Sequence, residues 1–213
     1  MKITKFTFNG FQENTFVLYD DSGEAVIVDP GCYEREEEKM LESFIEEKNL
    51  KPVRLLNTHF HLDHIFGNKF VCDKWNLTPE GHIKDKPTFD MAAQSAELYG
   101  FSGFKPSPEP DYSLKEGDVF SFGNTDLDIL FTPGHAPGHI VAVQKECASI
   151  IGGDVLFNGS IGRPDLPGGD FAELEKSIKE KLYTLPDDYT VYCGHGPETT
   201  IGKEKQSNPF VTG

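Results

Sequence analysis

A chain of 213 residues is long enough to bury a continuous core, and 37% hydrophobic residues with 21 glycines is a globular composition, not a disordered one. Thirty-five acidic against twenty basic side chains give a formal charge of -15, which argues against the cationic footprint that nucleic-acid binding needs. No stretch reaches the length of a membrane span and the N-terminus lacks a signal-like apolar run, so a cytoplasmic protein with no membrane partner is expected.

In chain order, the first elements read as an antiparallel β region. Ile3, Phe6 and Phe8 form one strand, Asn9-Gly10 a turn, and Thr15 to Tyr19 and Ala25 to Asp29 two more strands, joined by the hairpin signal Asp20-Asp21-Ser22-Gly23. The apolar run Val26 to Val28 stops on Asp29-Pro30-Gly31, where Asp29 has two readings, a turn cap or a support beneath a metal site. Glu34 to Asn49 has helical periodicity, with Met40, Leu41, Phe44 and Ile45 on one face and acidic residues in the first turn, where the helix dipole favours them. A short strand, Val53 to Leu56, runs into Asn57-Thr58-His59-Phe60-His61-Leu62-Asp63-His64, and a helix over Ile65 to Trp75 leaves that loop. Another helix is expected over 88–99, capped by Thr88 and stopped by Gly100, followed by a surface connector to Pro110. His82 fits no motif and is expected on the surface.

Two further hairpins follow, Val119 to Phe122 with Leu127 to Phe131, then Ile140 to Val143 with Ala148 to Ile151. Asp170 and Glu173 offer a capping box for a helix carrying Phe171, Leu174, Ile178 and Leu182, and Val191 to Cys193 is the last strand. No linker or low-complexity tract divides the chain. The reading is one α/β domain over 1–213, with two similar halves whose sheets face each other and whose helices lie outside.

Four strands end in potential metal ligands: the 57–64 loop, Thr132-Pro133-Gly134-His135-Ala136-Pro137-Gly138-His139, Gly153-Asp154 and Gly194-His195. His59 and His61 alternate, so in extended backbone both imidazoles point to one side, whereas Asp63 and His64 are adjacent. That spacing suits two neighbouring cations better than one, with Asp154 the natural carboxylate to bridge them. Nitrogen and oxygen donors without nearby thiolates suit zinc, and would accept iron or manganese. Cys32, Cys72, Cys147 and Cys193 show no C-x-x-C spacing and read mostly as buried small hydrophobes. There is no G-x-S-x-G elbow, phosphate-cradling loop or dinucleotide fingerprint. Metal-assisted hydrolysis of an activated carbonyl is therefore the first reading of the chemistry.

Val28-Asp29-Pro30-Gly31, Thr58-His59-Phe60-His61-Leu62-Asp63-His64, Thr132-Pro133-Gly134-His135, Gly153-Asp154 and Cys193-Gly194-His195 occur together and in this order. In this the sequence resembles metallo-β-lactamase-fold hydrolases of the glyoxalase II-like group, and Ile161 to Asp170 resembles their short single-domain bacterial branch. The resemblance implies a four-layer αββα sandwich. It implies His59, His61 and His135 on one metal, Asp63, His64 and His195 on the other, and Asp154 between them. His139 is then a supporting residue. Asp63 would also orient the nucleophile. Arg163 would hold a substrate carboxylate, or fix its own loop through Asp165. The implied activity is hydrolysis of an S-acylglutathione such as S-lactoylglutathione, a small-molecule thioester, although the chain lacks the helical domain that carries glutathione contacts in full-length glyoxalase II.

Other activities fit the same resemblance. A persulfide dioxygenase would use a single iron on His59, His135 and Asp154. A lactonase, an RNA-processing nuclease or a noncatalytic metal-binding domain would share the fold, and the acidic balance counts against the nuclease. Metal count, thiol release and oxygen uptake separate these.

Overall fold

In the computed structural model, which describes residues 1–213, the chain opens with three antiparallel neighbours, β1 (Lys2–Phe8), β2 (Glu13–Tyr19) and β3 (Glu24–Val28). α1 (Arg35–Glu47) crosses to β4 (Lys51–Leu56), which pairs parallel with β3. Parallel pairing needs such a crossover and leaves both faces of the strand covered, which is why β3 reads as a continuous apolar run after Glu24. α2 (Leu62–Ile65) and α3 (Asn68–Trp75) lead to β5 (Pro79–Glu80), which closes a five-stranded sheet in the order β1-β2-β3-β4-β5.

A short 3-10 turn (Ile83–Asp85), α4 (Lys86–Asp90) and α5 (Ala92–Tyr99) precede the second sheet. Its strands are β6 (Val119–Phe122), β7 (Thr125–Phe131), β8 (Ile140–Gln144) and β9 (Ser149–Gly153), an antiparallel meander. The small hairpin β10 (Leu156–Phe157) and β11 (Ser160–Ile161) then leads to α6 (Phe171–Ser177), which continues as one wider turn over Ile178–Leu182. β12 (Thr190–Cys193), β13 (Thr199–Thr200) and α7 (Ile201–Ser207) complete a six-stranded sheet ordered β13-β12-β9-β8-β7-β6. No helix is long and apolar enough to cross a membrane.

Alternation along the strands builds the layers. Phe16, Leu18, Val26, Val28 and Leu56 face Phe120, Leu127, Ile129, Ile140 and Ile151 across one buried cluster, so the sheets pack face to face. The intervening residues Val17, Ala25, Ile27 and Leu55 point the other way, onto Leu41 and Ile45 of α1 and Val71 and Cys72 of α3. On the far side Val141, Val143, Ile150 and Val191 pack against Leu174, Ile178 and Ile201. The result is the αββα sandwich, each core side chain contributing about 1.5–3 kcal/mol of burial.

Three local readings are corrected. The helix expected over Ile65 to Trp75 is two pieces, because Gly67 lies against the exit of β3: a Cβ there would sit 2.3 Å from Cys32 Sγ and 2.8 Å from the Pro30 carbonyl. The helix over 88–99 is likewise divided at Met91, and Thr88 is not its cap but a donor to Asp85 Oδ1, at 3.0 Å. His82 is 8% exposed, not a surface residue, with its ring stacked on Phe131 at 4.3 Å. Three cysteines are buried as expected, whereas Cys147 is exposed. Gly100 to Pro110 is a packed connector in which Phe101 and Phe104 cover Leu62 and Phe66.

Candidate metal centre

The exits of β4, β7, β9 and β12 converge at one edge of the sandwich. The β4 exit is held by two buried polar residues, Asn57 and Asp29. Asn57 donates to the His64 carbonyl at 3.2 Å and accepts from Asn68 Nδ2 at 3.0 Å, closing the 57–64 loop. Asp29 accepts from Thr58 N at 2.8 Å and Thr58 Oγ1 at 2.6 Å, and lies 3.2 Å from His64 Nδ1. Its oxygens are engaged by Thr58 and His64, and it also lies close to His59.

His59, His61 and His135 bring one donor atom each to within 4.8 Å of one another, and so do Asp63, His64 and His195. Between the two groups sits Asp154. Its Oδ1 is 3.5 Å from His64 Nε2, and its Oδ2 is 3.5 Å from both His135 Nε2 and His195 Nε2. The second nitrogen of several imidazoles is tied down, which fixes the ring and its tautomer. His135 Nδ1 donates to the Arg163 carbonyl at 2.9 Å, and His195 Nδ1 to the Phe11 carbonyl at 3.1 Å. His61 instead turns Nδ1 inward, 2.9 Å from His135 Nε2.

These residues fit metal cations. His59 Nε2, His64 Nε2 and Asp154 Oδ1 are buried without a hydrogen-bond partner, and each such orphan costs about 1–3 kcal/mol unless something answers it. Charge points the same way. Burial, reinforced by neighbouring imidazoles, holds His59 well below the usual histidine range, and burial beside His135 pushes His61 down to about 3, so both keep free lone pairs. Burial opposes ionisation of Asp63 and Asp154, yet His64 and His195 outweigh it and hold both carboxyls below their ordinary range. Burial would lower His64 too, but Asp154 and Asp63 raise it well above the ordinary value. Two ionised carboxylates thus draw positive charge into a buried cluster, the role divalent cations fill.

His139 stands outside the donor groups. Its Nε2 accepts from Asp154 N at 3.0 Å, which leaves the proton on Nδ1, 3.2 Å from Thr132 Oγ1. Gly153 makes this approach possible: its φ is +47, and a Cβ would fall 2.5 Å from Thr58 Oγ1 and 2.7 Å from His139 Nε2. With burial holding it far below the usual range, the His139 ring should stay neutral from pH 5 to 8. A ring resonance that titrates within that window in an NMR pH series would contradict this.

Two buried acids escaped the sequence reading. Asp85 accepts from Phe60 N at 2.5 Å and Gly138 N at 3.1 Å, pinning the two histidine loops to each other. Glu13 is fully buried, receives Thr15 Oγ1 at 2.9 Å, and lies 4.0 Å from His64 Nδ1. Neither has a spacing that marks it, since both act on groups distant in the chain. Cys193 is buried and its thiol is pushed up to about 12 by burial, so it is not a nucleophile.

The cluster opens into a cavity of about 400 Å³ walled by Phe11, Leu62, Met91, Leu98, Phe157 and Arg163, among others. Residues 8–195 match the model of the metallo-beta-lactamase superfamily. The chain belongs to that superfamily. Among its superfamily relatives, the Haemophilus influenzae protein named hydroxyacylglutathione hydrolase GloC is 37% identical over 99% of this chain and 98% of its own. The crystal structure of BLEG-1 B3 metallo-beta-lactamase superimposes with a TM-score of 0.89 at 36% identity, covering 100% of both chains. That of TTHA1623 in a di-iron-bound form gives 0.87 at 35% identity, over 98% of this chain and 100% of the other. Metal binding by this superfamily member is consistent with its buried orphan donors. If Asp29 holds Thr58 and His64 in place for a cation, Asp29→Ala should weaken metal affinity by about 10–100-fold, read by chelator competition. Unchanged affinity would reduce Asp29 to a turn residue.

Proposed function

We propose that this metallo-hydrolase cleaves small-molecule thioesters of the S-acylglutathione type, with S-lactoylglutathione the reference substrate. The observation that carries the reading is the pair of three-donor groups with Asp154 between them at one side of a cavity. His59, His61 and His135 would hold one divalent ion, Asp63, His64 and His195 a second, and Asp154 both, with zinc favoured by the donor chemistry and iron or manganese compatible with it. When bound, the ions would supply activation of water at neutral pH and polarisation of the thioester carbonyl.

The chain's own groups set the geometry. Asp63 Oδ2 is 3.1 Å from His195 Nε2 and faces the cavity, where it would accept a hydrogen bond from the attacking water and orient it. Water adds to the carbonyl carbon as one of its protons passes by way of Asp63 to solvent, the C–S bond breaks with its electron pair on sulfur, and the products are a thiolate and the carboxylic acid. Phe11 and Phe157 line the cavity beside the donor groups. The name of the Haemophilus relative supports a glutathione thioester.

The test is metal analysis of purified protein combined with a free-thiol assay on S-lactoylglutathione. Two ions per chain and metal-dependent thiol release are expected. Absence of thiol release from any S-acyl thioester by fully loaded protein would overturn the proposal. Nitrocefin turnover under those conditions would move the protein toward the activity named for BLEG-1, and oxygen uptake with glutathione persulfide toward a single-iron dioxygenase on His59, His135 and Asp154.

A further inference from the structure

The cavity above the donor groups has a wall that lactate and glutathione do not explain. α5 and the residue before it turn one side toward it: Met91, Ser95 and Leu98 recur at helical spacing, with Tyr99 alongside. Leu98 is 79% exposed and Tyr99 54%, and Phe11 faces the same space at 39%, so three of the protein's exposed large hydrophobic side chains gather at one mouth. Such a concentration beside a reactive centre marks a binding surface rather than scattered surface apolarity. It is also built to stay in place: the Phe11 ring meets Tyr99 edge-on at 5.6 Å and packs on Phe101 at 5.4 Å.

Ionic partners are scarce there. Outside the donor groups, Arg163 is the one charged side chain on the lining, and Asp165 already engages it through two hydrogen bonds of 3.0 and 2.8 Å. A substrate bound through several carboxylates and an ammonium would find one occupied cation; a substrate with an apolar arm finds a continuous wall. Resting on the thioester reading above, we propose that this site selects thioesters whose acyl group is an apolar chain of about four carbons or more, lying along Met91, Ser95 and Leu98. These three are the specificity-determining residues.

The test uses the metal-loaded full chain and acetyl, butyryl, hexanoyl and octanoyl thioesters of glutathione, followed by thiol release. kcat/KM should rise along the series by up to about fourfold per methylene, the value for a fully buried CH2. Leu98→Asp, at a position too exposed to disturb folding, should cut the octanoyl-to-acetyl preference by about tenfold or more. Met40→Ser, on α1 away from the cavity, should leave the series as it is. Calorimetric titration with S-methyl- and S-hexylglutathione gives a readout without turnover, and the hexyl compound should bind more tightly, an advantage lost in Leu98→Asp. A flat or falling series, or the same slope in the Leu98 variant, overturns the inference while leaving thioester hydrolysis intact. If no thioester is cleaved at all the functional proposal falls, and the calorimetric comparison still decides whether the wall takes an apolar arm.

Discussion

Replacing Asp154 by asparagine is expected to lower turnover by more than about a hundredfold and to strip metal from the protein. A hundredfold is already the upper end for residues that merely support a ligand. Asp154 is placed as more than a support, since its two oxygens lie 3.5 Å from imidazoles of both donor groups, His64 on one side and His135 and His195 on the other. Asparagine keeps the volume and the backbone bond from Asp154 N to His139, so folding should survive, but it removes one of two buried negative charges and puts an amide N–H where a cation would sit. Metal content by elemental analysis, turnover on whichever thioester the wild type cleaves, and a melting curve as the folding control are the three measurements. A variant with full metal occupancy and full turnover would remove Asp154 from between the ions. Loss of turnover with metal retained would mean that Asp154 acts on the reaction and is not needed to keep the metal.

Why these seven side chains could be found together in the sequence, while others could not, follows from how each is held. His59 and His61 are two apart on extended backbone, and period-two geometry alone puts their rings within 4.7 Å. His135, Asp154 and His195 each lie within four residues of a strand's end, so strand exits mark them. Asp85 and Glu13 carry no such mark. Asp85 binds the backbone of Phe60 and Gly138, 25 and 53 residues away, and a lone acid before a helix looks like a cap. Glu13 precedes the polar pair Asn14-Thr15 and looks like a surface residue until β2 is seen buried from its first residue. The helix boundary after Ile65 has a tertiary cause. Gly67 yields its helical continuity to close contact with Pro30 and Cys32, and tertiary approach of that kind leaves no periodicity to read. His82 was misplaced because stacking on Phe131, 49 positions away, is invisible locally. The layered fold was the most legible feature, since alternation in β2 and β3 already assigns Phe16, Leu18, Val26 and Val28 to one face and Val17, Ala25 and Ile27 to the other.

Asp85→Ala should destabilise the fold by about 3 kcal/mol or more, because it leaves the Phe60 and Gly138 N–H groups and the Thr88 hydroxyl buried without an acceptor, each costing about 1–3 kcal/mol. Against a total stability of about 5–15 kcal/mol that is a large share, and the loops it frees carry His59, His61 and His135. The carboxyl also gives the stability a pH signature. Burial raises it from 3.8 to about 6, although hydrogen bonds from Phe60 N, Gly138 N and Thr88 pull the other way. With the folded value above the unfolded one, the native state keeps a proton between pH 4 and 6 that the unfolded chain has released. The contribution of Asp85 is therefore complete below about pH 4 and falls as pH rises through 6, by up to about 3 kcal/mol for a shift of some two pH units. Asp85→Asn cannot titrate, so wild-type stability minus that of the asparagine variant should shrink between pH 4.5 and pH 7. Urea unfolding of both proteins in chelator at those two pH values measures it, with any metal contribution removed from each. A difference that stays constant or widens with pH would mean the carboxylate is ionised throughout, held by its three donors strongly enough to cancel its burial.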